Sequence, residues 1–219
     1  MPPTGQILDS LAAIANSWRW LAIIWHVVVG ILLVLIGTRR ISVRALALLL
    51  ASMIASVSAM AWWSANWFNG VVFAVLTSAL AWHSRHLPRH QVCAVSRGGL
   101  PIGLAALAFG WVYPHFLENA SWLTYAYAAP MGLIPCPSLA AIIGVSLMAN
   151  LLDHPRWGLT IGVAGLAYGI IGVARLGVWL DLWLIAAASA AVAASLRMRR
   201  AATSDAVLPA PPAPGSSRA

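Results

Sequence analysis

The chain has 219 residues, of which 61% are hydrophobic and only 8% charged, and its mean hydropathy is +0.84. Soluble domains carry roughly 25% charged residues, so a wholly water-facing surface is excluded and the exterior must meet lipid. The formal charge of +8 comes from arginine alone and sits mostly between apolar runs. It therefore reads as a topology signal rather than as a nucleic-acid footprint.

The first ten residues lack the basic stretch of a cleavable signal peptide, so the first span is expected to stay. Residues 1–17 are expected to form an external segment, with a short helix over 4–16 lying on the outer surface. Apolar runs follow at about 19–37, 44–63, 67–83, 98–117, 127–148, 156–174 and 178–196. Each approaches the roughly 20 residues that cross about 30 Å of hydrocarbon as a helix. Lipid offers no partner to unpaired backbone groups, and no alternating pattern argues for a barrel. The expected fold is an all-α transmembrane bundle of seven spans over 18–197, with a disordered cytoplasmic tail over 198–219.

The cations set the orientation. Arg39, Arg40 and Arg44 fall between spans one and two, and Arg85, Arg89 and Arg97 between three and four. Arg156 falls between five and six, and Arg197, Arg199 and Arg200 follow span seven. Every second loop is basic, which places those loops in the cytoplasm and the amino terminus outside. Most of the twelve tryptophans fall near span ends, as an interfacial belt requires. The lipid bilayer, in a cell inner membrane, is the expected partner.

Four features carry candidate chemistry. The first is Pro130 to Pro137, which reads Pro-Met-Gly-Leu-Ile-Pro-Cys-Pro. Prolines at 135 and 137 remove backbone donors, and counting inward from residue 127 puts Cys136 about 14 Å deep. An interrupted helix there is tolerated only inside a bundle or beside a watery cavity. Pro135, Cys136, Pro137 and Ser138, facing His26 in span one, form a candidate mid-membrane binding or gating point. The competing reading is a kinked packing element with Cys136 as a small buried hydrophobe.

The second feature is His83, His86, His90 and Cys93, metal-ligand types that would span about 80° of one helical face. Pro88 should break that helix, and Arg85 and Arg89 repel cations, so a solvated basic loop explains the same residues. The third is an outer polar cluster of Tyr113, His115, Glu118, Arg175 and Asp181. Polar groups at membrane depth are functional candidates, although Asp181 would also complement a helix N-terminus and pair with Arg175. His26 and His115 are residue types that ligate haem iron, but nothing fixes their separation and no cofactor is assigned. The fourth is the stripe Gly158, Gly162, Gly165, Gly169 and Gly172, within about 80° of one face. It reads as a packing seam against the alanine-rich seventh span, or as a contact between copies of the chain.

Several of these pieces resemble a family of multi-pass bacterial membrane proteins grouped only as a domain of unknown function. They are Trp67-Phe-Asn69-Gly, Tyr113-Pro114, Gly132-Leu-Ile-Pro135-Cys136-Pro137-Ser138, Arg156-Trp157, and Gly169 through Leu176-Gly-Val to Asp181, spread over most of residues 15–196. Ser138 stands where threonine is commoner, and Gly162 and Gly165 stand where that family carries a proline and a tryptophan. The resemblance implies fold and location and carries no activity with it. Small-solute or ion transport, a membrane thiol- or metal-handling enzyme using Cys136, and a non-catalytic assembly component are the functions in play. No nucleotide-binding phosphate loop and no zinc-protease or serine-hydrolase motif occurs.

Overall fold

A computed structural model describes residues 3–118 and 121–205. Among them are nine α-helices: α1 Thr4–Ser17, α2 Arg19–Gly37, α3 Val43–Trp63, α4 Trp67–Arg85, α5 Leu100–Val112, α6 Trp122–Ala128, α7 Pro135–Met148, α8 Pro155–Ala174 and α9 Leu182–Asp205. Single 3-10 turns at Leu151–Asp153 and Trp179–Asp181 lead into α8 and α9. Local signals start several of these helices. The Ser42 hydroxyl accepts from the Ala45 N–H, and the Asn66 side chain accepts from the Asn69 N–H, each satisfying an otherwise orphaned donor. Proline in the first turn of α5, α7 and α8 occupies positions whose N–H has no intrahelical partner.

Every apolar run of the sequence contains a helix, but not every helix is a full span. The segments Arg19–Gly37, Val43–Trp63, Pro155–Ala174 and Trp179–Ala201 are long and apolar enough to cross a membrane. Helices α5 and α7 have only 13 and 14 residues, about 20 Å of rise each. The seven runs expected to be equivalent therefore divide into long helices and short ones. Helix α9 continues to Asp205, past the start of the tail expected to be disordered, because Ala201 and Ala202 are strong helix formers and no proline intervenes. The remainder of that tail, 206–219, lies outside the described residues.

The short helix α7 is the centre of the bundle. Thirteen of its residues, all but Cys136, are buried, and a helix that is apolar all round belongs in a core. Glycines allow its close packing on α5: a methyl group on Gly103 would lie 2.8 Å from the Gly144 carbonyl oxygen. The α8 stripe meets α9. Added carbons at Gly158, Gly162 and Gly169 would run into Ser195, Val192 and Ile185. The seam expected from the sequence is thus filled within the chain by α9.

The loops collect at two ends. At one end Ser42 pairs with Val92, the Cys93 N–H donates to the Ile41 carbonyl (3.0 Å), and the Ser96 N–H donates to the Met148 carbonyl (2.8 Å). Ten of the thirteen arginines lie in or beside these connections and the C-terminal part of α9. The opposite end carries α1 and the connections 113–118 and 175–181. Exposed Trp20, Trp62, Trp63, Trp67, Trp122, Trp179 and Trp183 ring this second end.

Candidate functional site

The break between α6 and α7 is built so that few backbone groups go unsatisfied. Gly132 takes φ +79°, reversing the chain, and its N–H donates to the Ser138 hydroxyl (2.8 Å), which in turn donates to the Ile134 carbonyl (2.6 Å). Ser138 is therefore the clasp of the break. The Leu133 and Ile134 amides close onto the Pro130 carbonyl. Pro135 and Pro137 do not kink a continuous helix as expected; they sit in the first turn of a new one, where missing N–H groups cost little.

This geometry corrects the depth assigned to Cys136. With α7 about 21 Å long and starting at Pro135, Cys136 lies toward the α1 end of the bundle rather than midway along a single continuous span. There it meets the outer polar cluster. Its thiol lies beside the Asp181 carboxylate, and the Tyr113 hydroxyl donates to Asp181 Oδ1 at 2.9 Å. Asp181 and Tyr113 are each 1% exposed. Gly172 of α8 presses on the same carboxylate so closely that any side chain there would collide with it. Two features that the sequence assigned to different depths are one site.

The remaining candidates distribute differently. The break faces Trp25, whose ring lies against Gly132 and whose Nε1 donates to Ser56 (3.0 Å). His26, one residue on, turns to α5: its Nδ1 lies 2.8 Å from the Ala22 carbonyl oxygen and its Nε2 2.9 Å from that of Trp111. A neutral ring has one N–H and donates to one of these at a time. His115 stacks edge-on to Phe116 with centroids 4.3 Å apart. Glu118 is held through its backbone: its N–H donates to the Asn16 side chain and its carbonyl accepts from Arg19. The Arg175 carbonyl accepts from the Thr4 hydroxyl at 3.4 Å.

Sequence reasoning missed Asn16. Its amide donates to the Phe116 carbonyl (2.9 Å), and its oxygen accepts from the Glu118 N–H (3.1 Å) and from Arg19 (2.6 Å). Phe116 holds φ +73°, a conformation that disfavours a bulky L-residue by about 1–2 kcal/mol. A lone asparagine near the chain start gives no signal of this role. The sequence also gave no sign that the Tyr168 hydroxyl donates to Asn69 Oδ1 (2.9 Å) beside the break.

The histidine–cysteine group does not assemble. Helix α4 ends at Arg85, ahead of Pro88, so His90 and Cys93 leave the shared face. Among the described residues no three His, Cys, Asp or Glu side chains converge as a metal site. Cys93 is 1% exposed, and burial pushes its thiol up to about 11. Roughly one part in ten thousand is thiolate at pH 7. Cys93 is therefore expected not to react with a water-soluble maleimide until detergent unfolds the chain; rapid labelling of a Cys136→Ser variant in native membranes would refute this.

No protein-family model, no curated protein and no solved structure matches the chain.

Proposed function

We propose that the chain is a multi-pass protein of a bacterial inner membrane, crossing it seven times with its amino terminus outside and its carboxyl terminus in the cytoplasm. On this reading α6, the break and α7 together make one interrupted crossing. Ten of the thirteen arginines lie at one end and seven of the eight exposed tryptophans at the other, which supports the orientation. The pieces that resemble the uncharacterised bacterial family, from Trp67 to Asp181, include the break, Tyr113 and Asp181 along with Asn69 and Arg156-Trp157.

The function that fits this geometry best is small-solute or ion transport, with Asp181 as the group that takes the proton or cation. The observation that carries it is a carboxylate, 1% exposed, held by a tyrosine hydroxyl and lying next to a thiol at the start of an interrupted helix. Ionisable groups enclosed in a membrane bundle mark proton and ion paths, and discontinuous helices are where transporters bind.

A membrane-impermeant maleimide applied to a Cys93→Ser variant in oriented native membranes tests the reading. One-sided labelling of Cys136 from the α1 side is expected, because transport through Asp181 requires water to reach its neighbour. Labelling only after unfolding in detergent would seal the site from water and remove the transport reading.

A further inference from the structure

Helix α1 has one apolar stripe. Leu11, Ile14 and Ala15 are buried, Ile7 and Leu8 are half-buried, and Gln6, Asp9 and Ala13 are exposed. This is the pattern of a helix lying on a surface. What it lies on are the three connections that supply the site. Leu8 packs with Tyr113, Ala129 and Val178 in the cluster that also holds Cys136. Leu11 and Ile14 pack with Leu133 and Ile134 of the break. The Thr4 hydroxyl reaches the Arg175 carbonyl, and Asn16 ties to Phe116 and Glu118.

The polar attachment is uneven along the helix. The start of α1 has no side-chain cap, since its cap residue is Pro3. Its end is a break at Trp18, with φ −116° and ψ 28°, before α2 begins. A cavity of about 10 Å³, room for one water, lies between Leu11 and Ile14 above and Leu133 and Pro135 below. Three-point hydrogen bonding through Asn16, next to that break, is the densest polar fastening α1 has among the described residues.

We propose that α1 is a hinged lid over the Tyr113–Asp181–Cys136 site, turning at Trp18 and latched by Asn16. Closed, it separates the buried carboxylate from the water beyond the α1 end; swung away, it uncovers Tyr113 and the break together. The latch also holds Phe116 in its left-handed conformation, so release of Asn16 and relaxation of Phe116 favour the same open state. The proposal rests on Asp181 as the working site, and its test is arranged to fail separately from that reading.

The experiment compares maleimide labelling rates with and without Asn16→Ala, in two reporter backgrounds. Cys93→Ser reports on the site through Cys136. Cys93→Ser/Cys136→Ser/Leu11→Cys reports on the lid through a position that is 7% exposed when closed. Losing the Asn16 hydrogen bonds is expected to raise both rates about 10-fold or more, each bond contributing on the order of a factor of five. Acceleration at position 11 without acceleration at Cys136 would show that α1 moves but covers nothing, and overturns the proposal. Unchanged rates in both backgrounds overturn it as well. Neither result touches ion uptake by the full-length protein in vesicles, which judges the Asp181 reading on its own.

Discussion

Gly132→Ala is expected to destabilise the folded protein by about 2–5 kcal/mol, measured as unfolding in mixed micelles titrated with denaturing detergent. Two terms add. At φ +79° an alanine pays about 1–2 kcal/mol of left-handed strain. Its methyl group would also overlap the Trp25 ring, and overpacking of this kind costs about 1–3 kcal/mol. Trp25 cannot simply swing aside, because its Nε1 is fixed on Ser56. Gly177→Ala isolates the first term: it has φ +69° and nothing within 4 Å of the added carbon. A Gly132→Ala variant no less stable than Gly177→Ala would mean that Trp25 moves freely and that the break is not clamped as described.

That comparison also shows why parts of the structure were legible in the sequence and others were not. Periodic apolar runs gave α2, α3 and α8 within a residue or two, because burial in lipid and helix formation are both local consequences of composition. The glycine stripe of α8 was legible for the same reason, since small residues at helical spacing mark a face that another helix approaches closely. Proline chemistry located the break but misjudged its form: a proline that ends one helix and a proline that starts another look alike in sequence. The contact between Cys136 and Asp181 joins residues 45 positions apart, and its existence depends on α7 being short. Nothing local encodes that depth. The role of Asn16 depends on a carbonyl and an N–H about 100 positions away, and a lone asparagine has no pattern to betray it. Trp25, rather than His26, meets the break because one residue is 100° of helical rotation, finer than a candidate list resolves.

Asp181→Asn is expected to abolish proton or cation uptake into proteoliposomes while leaving a folded protein. The substitution keeps the shape and keeps one oxygen to accept from Tyr113 or Cys136. The carboxylate in the wild-type protein accepts from Tyr113 and lies beside the Cys136 thiol. The asparagine amide instead brings two donors to a site already furnished with donors, so one group goes unsatisfied and stability falls by about 1–3 kcal/mol. Asp181→Ala strands the buried Tyr113 hydroxyl and is expected to cost more than Asp181→Asn. Flux behaves differently from stability: the amide neither ionises nor takes a proton near neutral pH, so uptake driven by an imposed pH or Na+ gradient, read by a trapped dye, should fall to that of empty vesicles. Tyr113→Phe supplies the contrast, removing one donor but keeping the acid; it is expected to lose a few-fold in rate rather than all of it. Full uptake in Asp181→Asn would show that the carboxylate only fastens α9 to α5 and α7. The buried triad would then be a packing device, and the assembly reading would take the place of transport.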